Sequence, residues 1–410
     1  MFKLLKKIKS KKIFSLLLLI MVGFSPIAIL KEKQSESLLL IKNIGIDYEE
    51  GKYITSIQII IPENSASFKD KYKIVKNEGA SVTECFKNIT LETGKEPDFS
   101  HCNVILVGGG FLENNVADAL GYFTVDKNIN SKTIVICTEE KASEIFDIAS
   151  QTDSKDDYDP LKIIKNNRKY LFEIGITIDD FFKGYYSVPK ISIMGNLELS
   201  DKYGISVEND SSQGQSSGNQ SQQEKQQSQN KKSVLNKGDC TILKEGKKVM
   251  TLNSDQLVGI NFINKNKDEG YLTITVKDEQ NKEIQMEVKI RNKRLTQRMY
   301  FDGNKPCMKN RIIIDVNVQE FLSKQKDINV INSDKLKSRV IEATELAVKE
   351  RISKSLNLLK PDNLDIVNCY LNFNRFKPIQ WKNFLNKGHK DDYMQHVCFL
   401  ASVHVDKIIY

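Results

Sequence analysis

The sequence predicts a mixed α/β and α+β protein with mixed sheets. Its C-terminal part is expected to be an antiparallel sheet packed by a long helix, and an N-terminal membrane anchor is expected to precede the whole body. Three observations carry that expectation. Apolar strand-like runs alternate with helical stretches through about residue 150, the order that builds a partly parallel sheet covered by helices. From residue 270 onward apolar and polar residues alternate in successive segments, and one long amphipathic helix follows, as in a sheet with one wet face. One uncharged apolar run, residues 13–30, comes directly after a block of lysines. A chain of 410 residues has room for two or three cores.

The N-terminal run sets the address. Lys3, Lys6, Lys7, Lys9, Lys11 and Lys12 precede it with no acid among them. As a helix, residues 13–30 would reach about 27 Å, just enough for the hydrocarbon core. The lysines hold their flank on the cytoplasmic side, so the body is exported. Three readings compete. A cleaved signal peptide requires small residues at a processing site, and Pro26-Ile27-Ala28 is a poor one. A lipoprotein signal requires a cysteine at the end of the run, and the first cysteine is Cys85. An uncleaved anchor requires nothing beyond what is present. With those six lysines set aside, the other 55 basic residues face 53 acidic ones. A body so close to neutral argues against a nucleic-acid-binding domain, whose affinity would need a basic surface. The seven cysteines are scattered without a CxxC, and an odd number leaves at least one thiol free in an exported chain.

Residues 38–44 and 53–61 read as strands joined by an acidic turn at 47–51. Ser81-Val82-Thr83-Glu84 has the capping-box pattern and opens a helix to about Thr93. Residues 104–107 form an apolar strand ending in Gly108-Gly109-Gly110, with a helix near 114–122. Residues 132–137 read as another strand, followed by a helix over 138–150. A helical stretch at 171–186 places Phe172, Ile176, Asp179, Phe182 and Lys183 on one side. Residues 191–199 read as a strand, and 233–243 with 248–252 as a hairpin about Glu245-Gly246. Between them, residues 206–232 are rich in Gln, Ser, Asn and Gly with almost no apolar residue. Such a tract cannot bury enough surface to offset the entropy of ordering, so it is expected to be disordered. Strands are expected at 271–276, 283–291, 297–302 and 311–318. Ser333 caps a helix to about Leu359, whose stripe of Leu336, Val340, Ala343, Ala347, Ile352, Leu356 and Leu359 should lie on that sheet. A last strand at 396–409 closes the chain. The expected division is 1–32, basic segment and anchor or signal; 33–187, an α/β domain; 188–265, a small β-rich domain carrying the disordered insertion; and 266–410, an α+β domain.

No catalytic, cofactor-binding or metal-binding residue is assigned from the residues. Three contiguous glycines at 108–110 do not make the spaced dinucleotide fingerprint, and no GxxxxGK[ST] occurs. His396, Cys398 and His404 share parity on the expected last strand, but His396 and His404 would lie about 26 Å apart at strand rise. His101 and Cys102 precede a strand with no nearby partner of the right type. The one GxSxG match, Gly214-Gln215-Ser216-Ser217-Gly218, lies within the Gln/Ser-rich tract rather than between an apolar strand run and a helix, and no cysteine is in a reactive setting. Asp179-Asp180 and Asp391-Asp392 read as solvated charge.

The order of five segments resembles the C subunit of spore germinant receptors, the Ger(x)C family. They are IKNIGIDYEEGKY at 41–53, SVTECFKNITLETGKEPDFSHCNVILVGG at 81–109, DDFFKGYYSVPK at 179–190, LKEGKKVMTLNSDQLVGINFI at 243–263, and the helix from Ser333 together with Trp381-Lys382-Asn383. The resemblance implies three mixed α/β domains, no enzymatic activity, no cofactor and no metal. It implies a spore inner-membrane location, with polytopic A and B subunits as partners in nutrient-triggered germination. Trp381 is expected to be a packing residue. The chain departs from the family pattern in two ways. Gly23 is followed by Phe24, so the family's lipobox cysteine is absent, and residues 206–232 are inserted. A competing expectation is a membrane-tethered extracytoplasmic protein that binds a small molecule at the Gly108–Gly110 turn.

Overall fold

In the computed structural model of the chain, the described residues are 37–61, 71–125, 129–152, 175–200, 234–264, 267–277, 283–321 and 334–409. The lysine block, the apolar run 13–30, the first part of the expected helix at 171–186 and the insertion 206–232 lie outside them. Among the described residues, no helix is long and apolar enough to cross a membrane.

A long antiparallel hairpin, β1 (Leu38–Glu49) and β2 (Lys52–Ile61), forms as its apolar runs predict. β3 (Lys71–Gly79) extends it at the edge. Helix α1 (Val82–Thr93) begins where the capping pattern places it: the Glu84 N–H donates to Ser81 Oγ at 3.1 Å, and the Ala80 N–H donates to the Glu84 carboxylate at 2.7 Å. β4 (Glu96–Asp98), β5 (Val104–Val107) and β6 (Ile134–Cys137) complete the parallel centre. β5 is buried on both faces. Ile105 and Val107 pack with Phe86, Phe99 and Phe111, whereas Val104 and Leu106 pack with Ala142, Ile145 and Phe146 of α5 (Ala142–Thr152).

The helix expected at 114–122 is instead three short helices, α2 (Gly109–Glu113), α3 (Val116–Leu120) and α4 (Tyr122–Val125). Asn115 restarts the chain by accepting from the Ala117 N–H at 3.0 Å, a local bond that competes with one continuous helix. The stretch expected as helix at 171–186 differs too. Ile176–Thr177 is a short strand, β7, on β6, and a Thr177–Asp180 capping box then opens α6 (Ile178–Tyr185).

β8 (Ile191–Ser200), β9 (Val234–Lys244) and β10 (Lys247–Leu252) continue the first sheet, whose order is β10-β9-β8-β6-β5-β1-β2-β3, with β4 beside β1 and β7 beside β6. The pair Cys137↔Asn196 joins β6 to β8. Asn196 Oδ1 accepts there from Cys137 Sγ at 2.6 Å and from Thr241 Oγ1 at 2.8 Å. Met194 and Leu243 face the first core, while Ile191, Cys240, Ile242 and Leu252 face the second. α7 (Ser254–Phe262) follows, opened by an Asn253–Gln256 capping box.

The second sheet runs β11 (Gly270–Lys277), β12 (Glu283–Asp302), β13 (Lys305–Phe321) and β14 (Cys398–Ile409). β12 is one long strand where the sequence reads two, because a register shift between Arg291 and Arg294 carries pairing through the polar stretch. That irregularity turns Lys293 inward. Its ammonium donates to the carbonyls of Asn261 (2.9 Å) and Asn264 at the end of α7. The sheet is mixed, not antiparallel as expected, since β14 runs parallel to β13. A parallel neighbour needs a crossover. Here that crossover contains α8 (Asp334–Leu359) and the short helices after it. The expected α8 stripe is buried at Leu336, Val340, Ile352, Leu356 and Leu359, with Ala343 and Ala347 partly buried against the same core.

Candidate functional site

The glycine turn at 108–110 lies at the C-terminal ends of parallel strands, where doubly wound sheets usually receive ligands. In this chain the place is filled from within. Asp47, at the end of β1, accepts from the Ala142 N–H (2.7 Å) and the Ser143 N–H (2.9 Å) at the start of α5. It thereby puts a built-in anion where a phosphate would sit. A Cβ on Gly108 would lie 2.0 Å from Asp47 Oδ1; one on Gly109 would lie 2.2 Å from the Glu139 carbonyl, and one on Gly110 would lie 2.2 Å from the Tyr48 carbonyl. The glycines are there because backbone and carboxylate close over them. The Cβ direction at each of the three glycines is therefore occupied by the protein itself.

The cysteines behave as apolar packing. All seven lie outside any disulfide, and six are buried. Burial pushes the Cys102 thiol up to about 12, which leaves it unreactive.

Polar side chains gather between α8 and β14. α9 (Cys369–Phe376), α10 (Pro378–Phe384), a π turn (Leu385–His389) and α11 (Tyr393–His396) form a cap there. Asp365 ties it together. It accepts from the Cys369 N–H (2.7 Å), the Tyr370 N–H (2.7 Å) and the Tyr393 hydroxyl (2.9 Å). Burial pushes this carboxyl above its ordinary range, against those three bonds. Burial, with Asp365 beside it, raises the Tyr393 phenol as well. Trp381 is 1% exposed and packs as expected, stacked between Phe373 (4.9 Å) and Phe384 (5.3 Å). Its indole N–H is buried without a partner among the described residues.

The stack continues outward: the His389 ring lies on Phe384 at 4.7 Å, and the His396 ring centre is 4.1 Å from that of His389. Asp392 sits between the two imidazoles. Its Oδ2 is 3.0 Å from His396 Nε2, and its Oδ1 is 3.4 Å from His389 Nδ1. The hydrogen bond to His396, with the charge of both imidazoles, holds the Asp392 carboxyl below its ordinary range.

The structure redistributes the residues singled out in the sequence. His396 does not begin the last strand; it ends α11, while Cys398 opens β14 and His404 faces Glu345 on α8 at 3.6 Å. The shared strand face for these three therefore does not exist. His101 is exposed and Cys102 buried. Asp180 serves a helix cap and Asp179 is exposed. Asp392, read as solvated charge, instead lies half-buried beside two histidines. The spacing His389-x2-Asp392-x3-His396 carried the signal, because such spacing converges on a turn and a helix and disperses on a strand. A shallow cavity of about 230 Å³ lies nearby between α8 and β14, lined by Lys349, Leu356, Lys360, Asn310 and Phe399.

Comparison with known proteins accounts for the architecture. A crystal structure of the GerBC protein shares the fold, with a TM-score of 0.53 at 16% identity, over 90% of this chain and 97% of that one. No curated protein matches the chain. Residues 31–199 match the family described as Spore germination protein N-terminal domain, and residues 239–406 match Spore germination B3/GerAC like, C-terminal. With both halves matched in order over most of its length, the chain belongs to the GerAC family of spore germination proteins.

Proposed function

We propose that the chain is the C subunit of a spore germinant receptor and acts without catalysing a reaction. It docks onto polytopic A and B subunits at the spore inner membrane and is needed for nutrient-triggered germination. The body lies outside the cytoplasm, and the apolar run at 13–30 holds it there in place of the missing lipid anchor. A spanning helix gives effectively permanent attachment. The observation that carries this reading is the pair of spore-germination family matches, in order, one on each half of the chain. One structural feature accords with it: at the Gly108–Gly110 turn the space beside each glycine is taken by the Asp47 carboxylate or by backbone carbonyls.

The test is a pull-down of the full chain from spore membranes in mild detergent. Polytopic receptor subunits should be recovered with it, and recovery of the chain alone would overturn the proposal. Calorimetry with amino acids and nucleotides should show no binding by the isolated chain. The N-terminus of the membrane-bound protein checks the anchor: it should be intact, or lack only Met1, and a mature N-terminus near Lys31 would show cleavage.

A further inference from the structure

We infer that His389, Asp392 and His396 form a three-ligand site for a zinc-class divalent cation, with a fourth position open to solvent. One ligand atom from each residue lies within 4.8 Å of the others. Four donors arranged tetrahedrally at about 2.0–2.2 Å from zinc are about 3.3 Å from one another. The observed His396–Asp392 and His389–Asp392 separations, 3.0 Å to Oδ2 and 3.4 Å to Oδ1, are of that order.

The behaviour of Asp392 is the second observation. It occupies the N-cap position of α11, where an aspartate normally accepts from the amides of the first turn. It makes no such bond. Its Oδ1 is buried without a hydrogen bond of acceptable geometry, although the His389 imidazole is adjacent. A carboxylate turned away from its helix and toward two imidazoles is placed as a ligand would be.

The backbone supports the same assignment. Within the π turn Gly388 sits at φ 103°, a left-handed conformation that side chains resist, and this reversal delivers His389 toward Asp392. The stack from Phe373 through Trp381 and Phe384 holds the His389 ring from behind, which gives that ligand a fixed orientation. The side chains are 31%, 42% and 40% exposed for His389, Asp392 and His396, so an ion can enter and a fourth donor can reach it.

The donor set decides the class of metal. Two imidazoles with one carboxylate suit zinc and its neighbours, whereas calcium and magnesium require mostly oxygen donors. The inference rests on these three side chains and is independent of which subunits the chain docks to.

The experiment uses the full chain, untagged by histidines, purified in mild detergent and stripped with a chelator. Zinc chloride is titrated by calorimetry, and cobalt(II) binding is followed by visible absorption. One equivalent of zinc should bind, and cobalt should show the intense bands of a low-coordinate N/O site. His389→Ala and His396→Ala should each weaken binding by about 10-fold or more. His404→Ala, which alters a histidine paired elsewhere with Glu345, should leave binding unchanged. Metal-free melting curves matching the parent chain exclude misfolding as the cause. If a variant melts early, Asn or Gln at the same position replaces Ala. Absence of stoichiometric zinc binding, unchanged affinity in both histidine variants, or calcium binding as tight as zinc would overturn the assignment.

Discussion

Two aspartates stand at helix N-termini in this chain and do opposite things. Asp47 reaches across from β1 and satisfies two amides of α5. Asp392 precedes α11 and satisfies none of its amides, facing two histidines instead. The first is 2% exposed, and its surroundings exclude even a methyl group. The second is half-buried, with one carboxylate oxygen left without a hydrogen bond among the described residues. The lesson is that a site is recognised less by which polar residues it holds than by whether their bonds are already complete. Lys293 belongs with Asp47: it supplies a buried cation to the carbonyl end of α7, as Asp47 supplies an anion to the amide end of α5, and both signs suit the helix dipole.

Substitutions can break this comparison, beginning with the largest expected effect. Trp381→Ala should cost about 3–5 kcal/mol in urea denaturation, since it empties the middle of an aromatic stack. Trp381→Phe should cost far less, because the indole N–H has no partner to lose among the described residues. Next comes Gly108→Ala, expected to cost about 1–3 kcal/mol through overpacking. Its added carbon would collide with Asp47, so the double variant with Asp47→Ala should lose less than the sum of the two single losses. Asp47→Ala alone should cost about 1–2 kcal/mol as a lost helix cap. Asp392→Ala, measured metal-free in the same way, should cost less than Asp47→Ala; an equal loss would remove the contrast between the two residues.

Lys293 gives a pH signature. Burial lowers its ammonium from 10.5 to about 8. Between those values the unfolded chain binds more protons at this site than the folded one, so this contribution to stability rises with pH across the window and is lost below it. Lys293→Met should flatten the difference in unfolding free energy between pH 8 and 10.5. The smallest effect is expected at the exposed Lys190–Glu245 pair, 2.9 Å apart on the surface. Glu245→Gln should leave the melting temperature within experimental scatter, because exposed pairs of this kind contribute little.

Continuous apolar runs made the central strands legible: residues 104–107 and 134–137 are buried on both faces and could hardly pack otherwise. The hairpin at Glu245-Gly246 was equally readable, and both residues adopt positive φ. β3 was missed because KYKIVKNEG carries the charges of an edge strand and no strong apolar run. The parallel course of β14 was hidden, since alternation along a strand reports its faces and not its direction. The candidate site was hidden for a related reason. Parity on an assumed strand grouped His396 with Cys398 and His404, and only the turn before α11 reveals His389 as its neighbour. Asp47 and Ser143 are 96 positions apart, a pairing that no local pattern encodes.

One feature of the first sheet bears on how the protein can be handled. Ser200 and Val234 are direct partners in the β8–β9 ladder, so the chain leaves and rejoins the sheet at a single rung. Whatever length intervenes, the closure cost grows only logarithmically. Trimming that tract to a short turn, or splicing a fluorescent reporter into it, should leave the register on either side intact and give a handle for following the protein in living spores.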